Sequence, residues 1–172
     1  VGDTISAATT AFVQPAAGDT VDAQGRVIGS AVSASVYAST ATQTFADNTE
    51  AAITFDTVIS DPAGLWSNTN PTRLTAKTPG RYLIVGSIIF NNIGAGRSFA
   101  GIWKNGTTTG TLLAEQGAVV SAGYPSWTVC AVAQLAAGDY VELSALPNSG
   151  SGQHLLTAST PVNQLSLSRI LD

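Results

Sequence analysis

Only one cysteine, Cys130, occurs in the 172 residues, and there is no methionine. A single thiol excludes an internal disulfide and any multi-cysteine metal cage, and the apolar strand-like surroundings of Cys130 predict a buried, inert side chain. Charge is equally scarce. Lys, Arg, Asp and Glu make up 10% of the chain and the net charge is −4. The seven basic residues are scattered from Arg26 to Arg169, which gives no electrostatic footprint for a nucleic-acid backbone. No apolar run is long enough for a membrane span, because the longest, Tyr82 to Phe90, is broken by Gly86 and Ser87 and a span needs ~20 residues. Val1 to Thr10 lacks the basic start and apolar run of a secretion leader, so either the chain is not exported, which is the expectation, or a leader was removed beforehand.

What the chain does have is small residues and hydrophobes. Ala, Thr, Ser and Gly supply nearly half of it, while 44% hydrophobic residues spread from end to end exclude a disordered protein. Apolar and polar positions alternate with the strand period of two. Val32, Ala34 and Val36 oppose Ser33, Ser35 and Tyr37, Ile53 and Phe55 continue the pattern, and Leu74 pairs with Ala76. Pro79-Gly80 turns into the strand Arg81–Phe90. Asn105-Gly106 predicts a two-residue hairpin, since both central residues of such a turn take positive φ. Leu112–Val120, Ser126–Leu135, Tyr140–Leu146 and Val162–Leu171 read as further strands. On the third-last of these strands Trp127, Val129, Ala131, Ala133 and Leu135 share one side. Eight or more short strands separated by turns, with no amphipathic helix, predict an all-β, two-sheet antiparallel sandwich over residues 31–172. Residues 1–30 have too few bulky side chains for a core and read as an extended N-terminal arm, with Phe12, Val13, Val21, Val27 and Ile28 as its anchor candidates.

Candidate chemistry is thin. His154, the only histidine, lies in Ser149-Gly-Ser-Gly-Gln-His154, a stretch that reads as a loop, and no nucleophile stands near it in a recognisable motif. Gly94-Ala95-Gly96 leads into more strand and so fails as a dinucleotide fingerprint. Asp56 with Asp61, and Asp139 with Glu142, are the carboxylate pairs a glycosidase would need, yet Asp at strand ends is ordinary turn chemistry. Asp47-Asn48-Thr49-Glu50 lacks EF-hand spacing and reads as a turn. Trp103 and Trp127 have apolar partners two residues away and are expected in the core; Trp66 and His154 are left as a possible ligand loop. No cofactor or metal is expected. The strand Tyr82–Phe90 carries more information. Tyr82, Ile84, Ile88 and Phe90 oppose Leu83, Val85 and Ile89, so both sides call for burial. Tyr82, Ile84, Ile88 and Phe90 are therefore candidates for core or for an interface between copies, with a strand buried between the two sheets as the alternative.

The order of motifs resembles the complement globular-head and tumour-necrosis-factor-like jelly rolls: Thr54-Phe55-Asp56, Gly64-Leu65-Trp66, Leu74-Thr-Ala-Lys-Thr-Pro-Gly-Arg-Tyr82, Trp103-Lys-Asn-Gly106 and Leu135-Ala-Ala-Gly-Asp-Tyr-Val-Glu-Leu143. The likeness spans about residues 31–171. It implies a jelly-roll sandwich that forms homotrimers, binds through its outer surfaces and is not an enzyme. The ending lacks the aromatic-Ser-Gly of animal complement heads, and no collagen stalk precedes the domain. Ala11–Val21 is similar to a phrase near the start of some bacteriophage tail and virion proteins. Together these imply a virion protein assembled in the host cytoplasm: a capsid decoration knob that contacts the major capsid protein through its arm. The alternatives are a tail-fibre tip recognising a host surface glycan and, third, a jelly-roll glycan hydrolase using Asp56 or Asp139.

Overall fold

Alternation decides the architecture wherever a strand has one covered face. The computed structural model describes residues 19–21, 23, 27–30, 32–39, 43–156 and 161–170. Its strands are β1 (Asp19–Val21), β2 (Val27–Ser30), β3 (Ser33–Tyr37), β4 (Thr44–Phe45), β5 (Ala51–Ala52), β6 (Thr57–Ser60), β7 (Arg73–Thr75), β8 (Gly80–Ile89), β9 (Gly96–Lys104), β10 (Thr111–Val120), β11 (Ser126–Leu135), β12 (Tyr140–Asn148), β13 (Gln153–His154) and β14 (Gln164–Ile170). There is no helix among the described residues. All pairings are antiparallel. The first sheet runs β11-β8-β14-β3-β6, and the second β10-β9-β12-β5 with β7 also on β12.

The two sheets face each other across one core. Val36, Tyr82, Ile84, Ile88, Phe90, Leu165 and Leu167 from the first meet Leu74, Ala100, Ile102, Val141, Leu143 and Ala145 from the second, all of them fully buried or nearly so. Tyr82, Ile84, Ile88 and Phe90 thus lie in the core of the single chain. Gly86 sits among them because the sheets approach closely there: a Cβ at 86 would stand 2.5 Å from Leu143 Cδ1, and glycine in a strand interior marks such an approach. At the edge, Trp127 Nε1 donates to the buried Ser98 Oγ at 2.9 Å, linking β11 to β9 across the sandwich.

Several sequence expectations need correction. The connection after β9 is not a two-residue hairpin. Asn105 and Gly106 do take positive φ, 62° and 109°, but Thr111 pairs with Lys104, so residues 105–110 form the loop. The reason is that Asn105 is engaged elsewhere. Its N–H donates to the Tyr140 carbonyl, its Oδ1 accepts from the Tyr140 N–H, and its Nδ2 donates to Asp139. The turn is closed instead by the Gly110 N–H on the Gly106 carbonyl at 3.0 Å. His154 is not in a loop, since Gln153 and His154 pair with β4. Cys130 is exposed, not buried, because it lies on the outward side of β11 with Thr128 and Val132, opposite Val129 and Ala131. Little of the arm lies among the described residues. β1 and β2 form a hairpin in which Val21 is the partner of Val27; Ile28 lies in β2, and Phe12 and Val13 lie outside the described residues.

Candidate functional site

Odd-numbered residues of β8 point away from the core, and the register extends their face across the first sheet. Val132, Leu83, Ser168 and Ser33 form one row; Cys130, Val85, Ser166 and Ser35 the next; Thr128, Ser87, Gln164 and Tyr37 a third. Ile89 closes the face at one end beside Ser126, and Arg81 at the other beside Gln134 and Ile170. Arg81 is the only charged residue in these rows. Leu83 is 41% and Val132 53% exposed. Their neighbours on β14 and β3 are serines, two of which bond to each other, Ser35 Oγ to Ser166 Oγ at 2.8 Å. The result is an almost uncharged surface with an aliphatic patch on its β11–β8 side. Water gains little from such a face, whereas apolar area removed from it is worth ~25 cal/mol per Å². The signal for it lay in β11, whose outward residues Ser126, Thr128, Cys130, Val132 and Gln134 include no charge, although a solvent-facing side usually has some.

The outer face of the second sheet is built differently. Trp103 is on this face and not in the core, because Ser98, Ala100 and Ile102 take the inward positions of β9. Its Nε1 donates to Glu50 Oε1 at 2.6 Å and to Ser144 Oγ at 3.1 Å, and Ser144 Oγ donates to the same carboxylate oxygen at 2.5 Å. Gly101 keeps this junction flat, since a Cβ there would come within 2.7 Å of Ser144 Oγ and 3.0 Å of Glu50 Oε1. The network fastens the segment before β5 onto the sheet. Glu50→Ala removes the carboxylate that both groups share, leaving the indole N–H only Ser144 Oγ and the Ser144 hydroxyl only the Gly101 carbonyl at 3.1 Å, and is expected to cost about 1–3 kcal/mol for the lost bonds to a charged acceptor, read as a shift in the urea midpoint at unchanged m-value.

The other carboxylates singled out in the sequence are likewise spent on structure. Asp56 Oδ1 accepts from the Ser39 N–H, Ser39 Oγ and Thr57 Oγ1. Asp61 caps Leu65 and Trp66 through their N–H groups at 2.7 and 3.0 Å. Asp47 Oδ1 accepts from the N–H groups of Ser149 and Gly150, so Asp47 and Glu50 aim at different neighbours. Glu142 accepts from Thr72 Oγ1 at 2.6 Å. Asp139 meets Lys104 Nζ at 2.7 Å. With the Asn105 amide and the Ala136 N–H also bonded to it, that ammonium holds the Asp139 carboxyl down from 3.8 to about 2. A depressed carboxylate stabilises the fold fully above its ordinary pKa and loses the effect as pH falls through the lowered one. Asp139→Asn is therefore expected to lower stability at neutral pH and to flatten its decline between pH 3.8 and about 2, as urea midpoints across that range will show.

Trp66 and His154 do not share a site. Leu65 bonds to Thr75, which pairs with Tyr140 at the start of β12. His154 lies beyond the far end of β8, its carbonyl accepting from the Asn91 N–H at 2.8 Å and its Nδ1 facing Thr44 Oγ1 at 3.1 Å. The two residues are thus separated by the length of a ten-residue strand, about 30 Å. Trp66 is half-buried and its indole N–H bonds to the Pro71 carbonyl. Among the described residues no group of three or more His, Cys, Asp or Glu side chains is placed to hold a metal ion.

No family model and no curated protein matches the chain. Among solved structures, Eiger TNF from S. frugiperda is similar, with a TM-score of 0.60 and 14% identity over 82% of this chain and 93% of that one. A likeness of this kind shows the fold: an all-β, two-sheet antiparallel sandwich of the tumour-necrosis-factor type.

Proposed function

We propose that the protein is a non-enzymatic attachment knob, a homotrimer assembled through the outer face of the first sheet and carried on a bacteriophage virion as a capsid decoration protein. The observation that supports this most is the face itself: three rows of mostly small polar and aliphatic side chains, with Cys130, Gln164 and Tyr37 among them and a lone arginine at one end. A stable interface buries ~800 Å² per partner, and a face with Leu83 and Val132 exposed and a single arginine at its end has little charge to desolvate on association. The carboxylates a hydrolase would use are engaged in turns and strand ties, which weighs against a glycan hydrolase. Trp66 and His154 stand at opposite ends of the sandwich, so a glycan-binding tip would have to use them separately.

Attachment is assigned to the arm. The chain enters β3 and leaves β14 at one end of the sandwich, where Ser33 pairs with Ser168 and Ile170 with Arg81, so the arm roots there and the opposite end faces outward. The virion placement rests on the likeness of Ala11–Val21 to phage virion sequences. Co-sedimentation with purified empty heads tests it. Stoichiometric binding that is lost on deleting residues 1–30, with the trimer retained, is the expected result; binding to host cells or polysaccharide instead would transfer the protein to the tail. The face has its own reporter. Cys130 is exposed in the single chain and covered in the proposed trimer, so maleimide labelling should be slow in the native protein and fast in urea. Fast native labelling would place the interface elsewhere.

A further inference from the structure

The outer face of the second sheet carries polar groups that the fold leaves unused. Arg73, Glu142, Trp103 and Leu112 are register partners in turn across β7, β12, β9 and β10, at ~4.8 Å per strand. They share the outward side, since Leu74, Val141, Leu143 and Ile102 beside them are buried in the core. Arg73 and Glu142 do not pair with each other. The Arg73 guanidinium centre stands 4.3 Å from the centroid of the Tyr140 ring, and its Nε is buried without an acceptor among the described residues. Glu142 is 9% exposed and bonds to Thr72 through Oε1, which leaves Oε2 uncommitted among the described residues. A buried donor and a nearly buried carboxylate oxygen left over in a native fold call for a partner from outside it.

Trp103 stands next in the row. Its Nε1 reaches back over Gly101 to Glu50 and Ser144, so the indole lies along the sheet and does not stand off it. The ring is half-buried and Leu112 beside it is 41% exposed, which leaves this end of the row open to solvent. We infer that the row is a binding site for a neutral saccharide, stacked on Trp103 and hydrogen-bonded by Arg73, Glu142 and Glu50. An aromatic ring offers an apolar plane that suits the C–H face of a pyranose. A guanidinium only donates and an ionised carboxylate only accepts, so side by side they hold neighbouring hydroxyls, each of which does both. Charge selects against the other ligand classes. Glu50, Glu142 and Glu115, the partner of Gly101 on β10, outnumber Arg73 and repel an anionic sugar, while Arg73 repels a cation next to Glu142. The site is complete within one chain and lies on the opposite side of the sandwich from the face assigned to the trimer, so it does not depend on that assignment.

Binding of the full chain to an array of immobilised neutral oligosaccharides of glucose, galactose, mannose and N-acetylhexosamines tests the site. The wild type is expected to bind at least one of them. Titrated with that oligosaccharide in solution, Trp103→Ala and Arg73→Gln are each expected to bind at least tenfold more weakly. Trp103→Ala also loosens the tie to Glu50, so the deciding variant is Arg73→Gln, which gives up only the stacking on Tyr140 and is expected to keep its Tm within a few degrees. A wild type that binds nothing on the array would overturn the proposal, and so would binding that Arg73→Gln leaves unchanged. Neither failure would bear on the trimer or on attachment to heads, which are read from native mass and co-sedimentation.

Discussion

Leu83→Glu is expected to convert the proposed trimer into a folded monomer at micromolar concentration. In the isolated chain this side chain is 41% exposed, and substitutions at such surface positions usually change stability by no more than about 0.5 kcal/mol. In the proposed trimer the same position lies within the covered aliphatic patch, flanked on β11 by Val132. Three copies would each bring a carboxylate into a water-excluded contact with no cation facing it except Arg81, two residues away along the strand. The effective cost of an unpaired buried charge is several kcal/mol, incurred three times over, which exceeds what an interface of standard size keeps after association costs. Native mass should fall from three times the 17.5 kDa chain to one, with an unchanged far-ultraviolet spectrum. A trimer that survives Leu83→Glu would show that the face is not the interface.

The neighbouring residue gives the opposite result. Tyr82 has no exposed surface and its hydroxyl donates to the Thr78 carbonyl at 2.6 Å. Tyr82→Ala removes a buried ring, at about 3–5 kcal/mol for aromatic truncations, and leaves a carbonyl without its partner. Whole domains are stable by only ~5–15 kcal/mol. The substitution should therefore lower Tm by roughly 10 °C or more, or prevent folding. Tyr82→Phe keeps the ring and should cost about 1 kcal/mol, the typical worth of one hydrogen bond. Adjacent positions of one strand thus separate the two roles, since one variant breaks the fold and the other only the assembly.

Much of the fold was legible because strands with one covered face must alternate. Val32, Ala34 and Val36, Ile53 with Phe55, and Leu165 with Leu167 are buried as their spacing predicts. β8 was legible as apolar on both sides, but the spacing could not say which side was the core. Burial assigns Tyr82, Ile84, Ile88 and Phe90 inward and leaves Leu83 outward. Misreadings arose where a residue's partner was distant in sequence. Trp103 has apolar neighbours along β9, yet the inward positions go to Ser98, Ala100 and Ile102, and its outward indole is held by Glu50, which is 53 positions away. Asn105-Gly106 has the φ angles of a hairpin turn and none of its connectivity, because Tyr140 and Asp139 bind Asn105 from another strand. Cys130 was read from the apolar company of β11, where the two-residue period alone sets its direction.

The measurement closest to the centre of the account is the mass of the native full chain at micromolar concentration. A single species at three times 17.5 kDa is the predicted result. A species at 17.5 kDa, stable on concentration and with Leu83 and Val132 open to solvent, would contradict the trimeric knob and with it the attachment role assigned to the protein.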